Sequence, residues 1–386
     1  MSSASEAAPR EVRSGRTKAP APAPRRRARA RPAQLAVAVT GAASGLGLAT
    51  ARGLAGHPQV SRVIGIDDRR GDVPGVTWRI LDVCDPALAG RLRSVDTIVH
   101  CATDVGVDQA HSDQTQKGSV SRNVRATQTV LTAAAAAGVR RVVLCTSAMV
   151  YGALPDNPVP LPEDAALQAV PDGGLITDLL EMEQLATRAP RTHPGLEVTV
   201  LRPAVVVGPG IDSLLTRHFE APRLLVVRGS SPRWQFCHVD DLVAAVALAA
   251  LGKVTGVVTV GCDGALDQDE VELITGMRRI ELPSSLAFGT AERLHRMGLI
   301  PAPASDLQYV VHPWVVPSTK LRAAGWRPVY DNTTTLGVLL EQVSGHHAVA
   351  ARRVGRRDAT IGAAGAAVAV VGTAALVRRA RKKRRG

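Results

Sequence analysis

Eight consecutive residues, Thr40-Gly41-Ala42-Ala43-Ser44-Gly45-Leu46-Gly47, have the composition to hold a diphosphate with backbone groups alone. Glycine lets the main chain pass close to a ligand, and a helix that starts in such a turn aims its free N–H groups at the negative charge. Asp67 and Asp68 end the next apolar run, Arg62–Ile66. A carboxylate at that strand end can accept both ribose hydroxyls of an adenosine, which points to NAD. Arg69 and Arg70 come directly after and could hold a 2′-phosphate, so NADP is the alternative. Glycine spacing by itself also serves tight strand–helix packing, so its meaning depends on what surrounds it.

The surroundings read strand, turn, helix, strand. Leu35–Val39 is a short apolar run into the turn, and Leu46–Leu54 continues with helical spacing. Further strands are predicted at Val76–Leu81, Thr97–Cys101, Arg141–Thr146 and Leu196–Leu201, with one more near Val254–Val260. Helices are predicted over Val120–Ala137, around Leu175–Ala189 and over Leu242–Leu251. This alternation predicts an α/β fold: a doubly wound, Rossmann-like parallel sheet with a smaller C-terminal substrate lobe. One NAD(P)-binding domain is expected over 34–344, its lobe mainly within 204–344, where prolines multiply and strands shorten. Residues 1–33, rich in Ala, Pro, Arg and Ser, read as a disordered basic arm, and 345–386 as a basic linker with an apolar and polybasic tail.

The formal charge of +13 looks like a nucleic-acid signal until it is located. Arg25, Arg26, Arg27, Arg29 and Arg31 lie at one end and Arg378–Arg385 at the other, while the body between is slightly acidic. No specific nucleic-acid surface is expected, and 3% aromatic residues offer no stacking platform. The uncharged run Thr360–Val377 is built from Ala, Gly and Val between cationic flanks. It suits a helix lying on an anionic membrane surface better than one spanning it. The expected location is cytoplasmic, peripheral at the inner face of a membrane, since no apolar leader precedes the first strand. Five scattered cysteines lack metal-ligand spacing and read as reduced, buried thiols.

Several further segments carry a family resemblance. They are Leu81-Asp82-Val83, Val99-His100-Cys101-Ala102, Asn123-Val124, and the block Leu144-Cys145-Thr146-Ser147-Ala148-Met149-Val150-Tyr151-Gly152. Leu201-Arg202-Pro203, Val207-Gly208-Pro209-Gly210, Gln235-Phe236-Cys237-His238-Val239-Asp240-Asp241-Leu242 and Gly325-Trp326-Arg327-Pro328 follow. Together, over about 35–340, the chain resembles the extended short-chain dehydrogenase/reductases, the NAD-dependent epimerase/dehydratase group that includes nucleotide-sugar 4-epimerases. The resemblance implies an oxidoreductase or epimerase acting on a hydroxylated small molecule such as a nucleotide sugar, and a homodimer. It implies cofactor contacts from Thr40, Gly41, Ser44, Gly45, Leu46, Gly47, Asp67, Asp82, Val83, Cys101, Ala102 and Asn123.

Two departures stand out. Ser44 occupies the place of the extended members' second glycine, and Gly41, Gly45 and Gly47 match the single-domain members instead. The family's Tyr-x-x-x-Lys pair is also missing: counting back from Glu183-Gln184-Leu185, its places fall on Leu175 and Leu179. Only Tyr151, Tyr309 and Tyr330 exist, and none has lysine four residues on. Ser147 and Tyr151 are then the candidate catalytic residues, Ser147 as a hydroxyl that orients substrate or simply satisfies its own loop, Tyr151 as a substitute acid. Thr177 and Asp178 read as surface groups; His238 with Asp240 and Asp241 could do acid–base or metal work, but Asp240 and Asp241 suit the cap of the helix Leu242–Leu251, and the structural reading is preferred. The second reading of the whole is a catalytically degenerate NAD(P)-binding sensor or scaffold.

Overall fold

The computed structural model describes residues 34–101, 120–297 and 303–344, with the backbone of 348–349 and 352–353. The arm 1–33, Ala102 and the tail run 360–377 lie outside the described residues. Strands and helices alternate from the start: β1 (Leu35–Thr40), α1 (Gly45–Ala55), β2 (Val60–Asp67), β3 (Val76–Ile80), α2 (Leu88–Arg91) and β4 (Thr97–His100). Then come α3 (Arg122–Ala136), β5 (Arg141–Cys145), a 3-10 turn (Ala148–Tyr151), α4 (Leu175–Thr192) and β6 (Glu197–Pro203). The lobe is built from β7 (Val205–Val207), α5 (Leu214–His218), β8 (Leu224–Val227) and β9 (Phe236–His238). The chain returns to the main sheet through α6 (Val239–Ala250) and β10 (Gly256–Val260). It closes with α7 (Gln268–Thr275), β11 (Arg279–Leu282), α8 (Ser284–Arg296), a 3-10 segment (Ala304–Val310), α9 (Thr319–Ala323) and α10 (Asn332–Val343).

The main sheet has seven parallel strands in the order β10-β6-β5-β4-β1-β2-β3. Strand order reverses beside β1, so the β1 and β4 carboxyl ends, where Thr40 pairs with His100, open a crevice outside the sheet. The predicted α/β architecture is what forms, and each predicted strand of the sheet is present. The central strands are apolar on both faces, as sheets covered on both sides require; Val37, Ala38, Val39, Ile98 and Val99 are fully enclosed.

One face is covered by α1 and α6, which approach at backbone distance: a β-carbon on Gly53 would lie 2.4 Å from Val243 Cγ1. The other face is covered by α3 and α4. In α3, Ser121 caps the Val124 N–H, and Val124, Thr127, Leu131 and Ala134 form a buried stripe at helical spacing. The lobe is stitched to this body by Asp241, a buried carboxylate accepting from the Val329 N–H at 2.9 Å and the Tyr330 N–H at 3.1 Å. Trp326 adds a bond from its indole N–H to the Asp241 carbonyl. His238 caps α6 by accepting from the Asp240 N–H; the cap expected at Asp240 and Asp241 falls earlier, because the helix starts at Val239 and takes both acids into its first turn. No helix among the described residues is long and apolar enough to cross a membrane.

The packing singles out Gly47, whose β-carbon would stand 1.9 Å from the Gly41 carbonyl oxygen. Gly47→Ala is expected to cost about 1–3 kcal/mol by overpacking, read as a lowered urea midpoint. Gly90→Ala, in open space on α2, is expected to leave stability unchanged or raise it by about 0.4–1 kcal/mol.

Candidate functional site

The glycine turn sits at the crevice. Gly41 has φ +69° and Gly45 +50°, conformations that side chains rarely adopt. The Gly41 N–H donates to the Ile66 carbonyl at 3.0 Å, pinning the turn to the end of β2. Gly45, Leu46 and Gly47 begin α1, and first-turn N–H groups have no acceptor within a helix. Ser44 is exposed, and its side chain makes no capping bond. Across the crevice the Val207-Gly208-Pro209-Gly210 segment approaches: a β-carbon on Gly45 would be 3.4 Å from the Gly210 carbonyl. Thr40 points inward instead, its hydroxyl 2.7 Å from His100 Nδ1. Burial lowers the His100 imidazole to about 4, so it is neutral and adds no cation to the crevice floor.

Asp67 faces the turn from the end of β2. Its carboxylate accepts from the Ala43 N–H at 2.9 Å. Burial raises its titration above the usual carboxylate range, the Ala43 bond offsetting this in part while Asp68 adds to it. The segment after β2 folds back over the turn: a β-carbon on Gly71 would meet Ala43 Cα at 3.0 Å and the Trp78 ring at 2.5 Å. Asp82 accepts from the Cys84 N–H at 2.9 Å and from both terminal nitrogens of Arg122 at 3.1 Å. Burial works to raise the Asp82 carboxyl, but the Cys84 N–H and the Arg122 guanidinium outweigh it and hold it low. Val83 is buried beside it, and Cys101 is half-buried at the end of β4. Asn123, buried on α3, donates to Asp178 on α4 at 2.9 Å. Asp178 is therefore half-buried and engaged, unlike the surface group its sequence suggested. Thr177 differs likewise, its hydroxyl accepting from the N–H groups of Asp172 and Gly173 at the start of α4.

On the substrate side, Ser147 is half-buried and accepts from the Met149 N–H at 3.2 Å. Its hydroxyl proton has no acceptor among the described residues. Tyr151 is different. The ring is fully buried, the hydroxyl donates to the Glu163 carbonyl at 2.7 Å, and the Arg202 guanidinium lies 4.8 Å from the ring centre. Burial also pushes the phenol up. The Tyr151 phenol, read from the sequence as a substitute acid, has its proton on the Glu163 carbonyl. Beneath Ser147, Glu183 on α4 receives Arg202 through three N–H···O contacts and the Thr146 hydroxyl at 2.8 Å. Leu179 is fully buried and Leu175 half-buried, packed among Val124, Leu144 and Val150.

One cluster had no signal in the sequence. Asp172 accepts from the Gly174 N–H and from the Ser305 hydroxyl, each at 2.8 Å. Beside it Asp306 is 7% exposed, with Oδ1 unpartnered. Burial, then the neighbouring Asp172, raise the Asp306 carboxyl to about 8. Among the described residues no cluster of side chains has the make-up of a metal site.

The profile of the NAD dependent epimerase/dehydratase family matches residues 37–261. The "Uncharacterized protein Rv0501" of Mycobacterium tuberculosis is 31% identical over 229 residues, 57% of this chain and 60% of the relative. A Sinorhizobium fredii protein, y4nG, is 27% identical over 226 residues, 55% of each. The chain thus spans less than two thirds of the length of these curated relatives. Among solved structures, MoeE5 in complex with UDP-glucuronic acid and NAD has a TM-score of 0.60 at 24% identity, covering 80% of this chain and 98% of that one. UDP-glucose 4-epimerase from Stenotrophomonas maltophila, with bound NAD, gives 0.61 at 20% identity, covering 81% and 98%.

Two outcomes follow from the buried charges. Glu183→Gln leaves Arg202 buried without its counter-charge and is expected to cost about 3–5 kcal/mol; Tyr151→Phe, losing one hydrogen bond, costs about 1 kcal/mol. Urea titration separates them. Asp306 is raised when folded, so between about pH 4 and about pH 8 the folded state holds more protons than the unfolded one. Stability therefore falls as pH rises through that window, and Asp306→Asn should flatten the decline.

Proposed function

The chain belongs to the NAD dependent epimerase/dehydratase family, and from that premise we propose that it binds NAD and acts on a hydroxylated small molecule, of the nucleotide-sugar class. The observation that carries the reading is the Asp67 carboxylate held on the Ala43 N–H, which puts an anion beside the helix-start donors that suit a diphosphate. Asp67 would hold the adenosine ribose, and a carboxylate there repels a 2′-phosphate, which supports NAD over NADP. Gly41, Ser44, Gly45, Leu46 and Gly47 would hold the diphosphate, and Asp82, Val83 and Asn123 would line the adenine side. Their chemistry suits that half of a dinucleotide, since the turn has the glycine conformations and the donors it needs. NAD, when bound, supplies a hydride acceptor for oxidation of a substrate hydroxyl.

Ser147 is the group left to orient that hydroxyl, through the proton its oxygen does not spend on the protein. The nucleotide-sugar class is supported by the complexes of MoeE5 with UDP-glucuronic acid or UDP-glucose and NAD, which share the fold. A second reading, an NAD-binding protein that carries out no hydride chemistry, is favoured by the enclosed Leu179 and the committed Tyr151.

Calorimetry on the purified, nucleotide-stripped protein is expected to show NAD binding, weaker binding of NADP, and no heat for Gly41→Val. Affinity for NAD should decline as pH falls, starting above the usual carboxylate range, because Asp67 takes up its proton early. A panel of sugar nucleotides followed at the reduced-nicotinamide absorbance, with Ser147→Ala for comparison, divides the two readings: turnover lost in Ser147→Ala supports the first, binding without turnover the second. No heat with either dinucleotide would overturn both.

A further inference from the structure

Cys101 and Cys145 stand side by side at the carboxyl ends of neighbouring parallel strands. β4 and β5 pair with His100 opposite Leu144, so the next residue on each is cysteine opposite cysteine. His100 reaches Thr127 on α3 and Leu144 packs with Leu179 on α4. By alternation both cysteines face the other side, toward α1. There Cys101 Sγ is 3.8 Å from the Thr50 hydroxyl, and Cys145 packs in the cluster that holds Ala51 and Leu54. Cys101 is close enough to Cys145 to raise its thiol. The remaining cysteines are occupied elsewhere: Cys84 with the Arg122 carbonyl, Cys237 with the His238 carbonyl, Cys262 with the Thr335 hydroxyl.

We propose that Cys101 and Cys145 are a redox modification site, closed by hydrogen peroxide into a reversible intramolecular disulfide at the floor of the crevice. Half-buried Cys101 is the thiol that peroxide reaches. Its sulfur attacks one peroxide oxygen, the O–O bond breaks, and the products are a sulfenic acid on Cys101 and water. The Cys145 sulfur then attacks the Cys101 sulfur, expelling the sulfenic oxygen as a second water, so two thiols lose two hydrogens and one peroxide is reduced. Cys145 suits the second role. Cys145 is buried, so peroxide does not reach it, and it stands beside the sulfur that peroxide oxidises.

Spacing sets the character of the bond. Adjacent strands run about 4.8 Å apart, inside the roughly 4.4–6.8 Å between α-carbons that a disulfide spans. The β-carbons must still close to about 3.8 Å, so the strand ends are drawn together and the bond is strained, hence easily reduced. Closure also removes the Cys101 thiol from Thr50 on α1, the helix whose start forms the glycine turn. On the reading of that turn as the NAD site, oxidation weakens dinucleotide binding.

The test treats the full chain, stripped of nucleotide, with hydrogen peroxide, blocks free thiols with iodoacetamide and maps peptides by mass. Joined Cys101 and Cys145 peptides, two hydrogens lighter and separated again by dithiothreitol, are expected. Cys101→Ser and Cys145→Ala should each abolish the species, and Cys84→Ser should leave it. Circular dichroism of each variant shows whether it is folded, and a folded Cys145→Ala that still yields the species overturns the proposal. So does Cys101 recovered as sulfinic acid with Cys145 still alkylated. NAD affinity of the oxidised chain is expected to fall about tenfold, equivalent to about 1.4 kcal/mol; an unchanged affinity overturns the coupling. A reduced chain that binds no NAD defeats the dinucleotide reading instead, while the peptide masses still decide the disulfide.

Discussion

Beneath the crevice a carboxylate and a guanidinium meet almost out of reach of water. The Glu183 and Arg202 side chains are 5% and 7% exposed, and each is solvated only by what the protein supplies. Removing a charge of this kind from water costs several kcal/mol, which close geometry and extra hydrogen bonds must offset. The protein provides both: Thr146 donates to the carboxylate, and the Tyr151 ring lies beside the guanidinium. One pair thereby ties α4 to β6, to the end of β5 and to the turn behind Ser147. Any shift of α4 along the sheet would strand a charge, so the position of Ser147 is fixed by electrostatics as much as by packing.

The same constraint gives meaning to the leucines on α4. With Glu183 anchoring the helix, Leu179 and Leu175 lie one and two turns toward its start, on a face packed with Val124 and Val150. At the two positions where the sequence resemblance implies a phenol and an ammonium, the side chains that pack here are leucines. The crevice floor has no compensating cation from His100, which is buried and neutral.

Local features were legible in the sequence and long-range pairings were not. The glycine turn, the strand that feeds it and Asp67 could be read because adjacent residues encode them through backbone conformation and apolar runs. The start of α6 was read too, but its cap was placed on Asp240 and Asp241, which lie in the first turn after His238. Arg122 on Asp82 joins residues 40 apart, and Ser305 on Asp172 joins residues 133 apart; no periodicity announces either. Tyr151 shows the same limit from the other side. Its motif located it next to the crevice, but only the Glu163 carbonyl and Arg202, brought in by the tertiary fold, turn its hydroxyl inward. Thr177 and Asp178 were mistaken for surface groups because what covers them lies before α4 and on α3.

Asp241 bears on how the chain comes into being. Its carboxylate sits on α6 but draws its hydrogen bonds from residues 88 and 89 positions later. At a synthesis rate of about 5–20 residues per second, roughly 4–18 s separate the emergence of that acid from the arrival of its donors. For that interval the nascent sheet already has most of its strands while α6 still needs water around one side chain. The buried place of the Asp241 carboxylate is therefore completed only once Val329 and Tyr330 have been made, well after the sheet strands it stands beside.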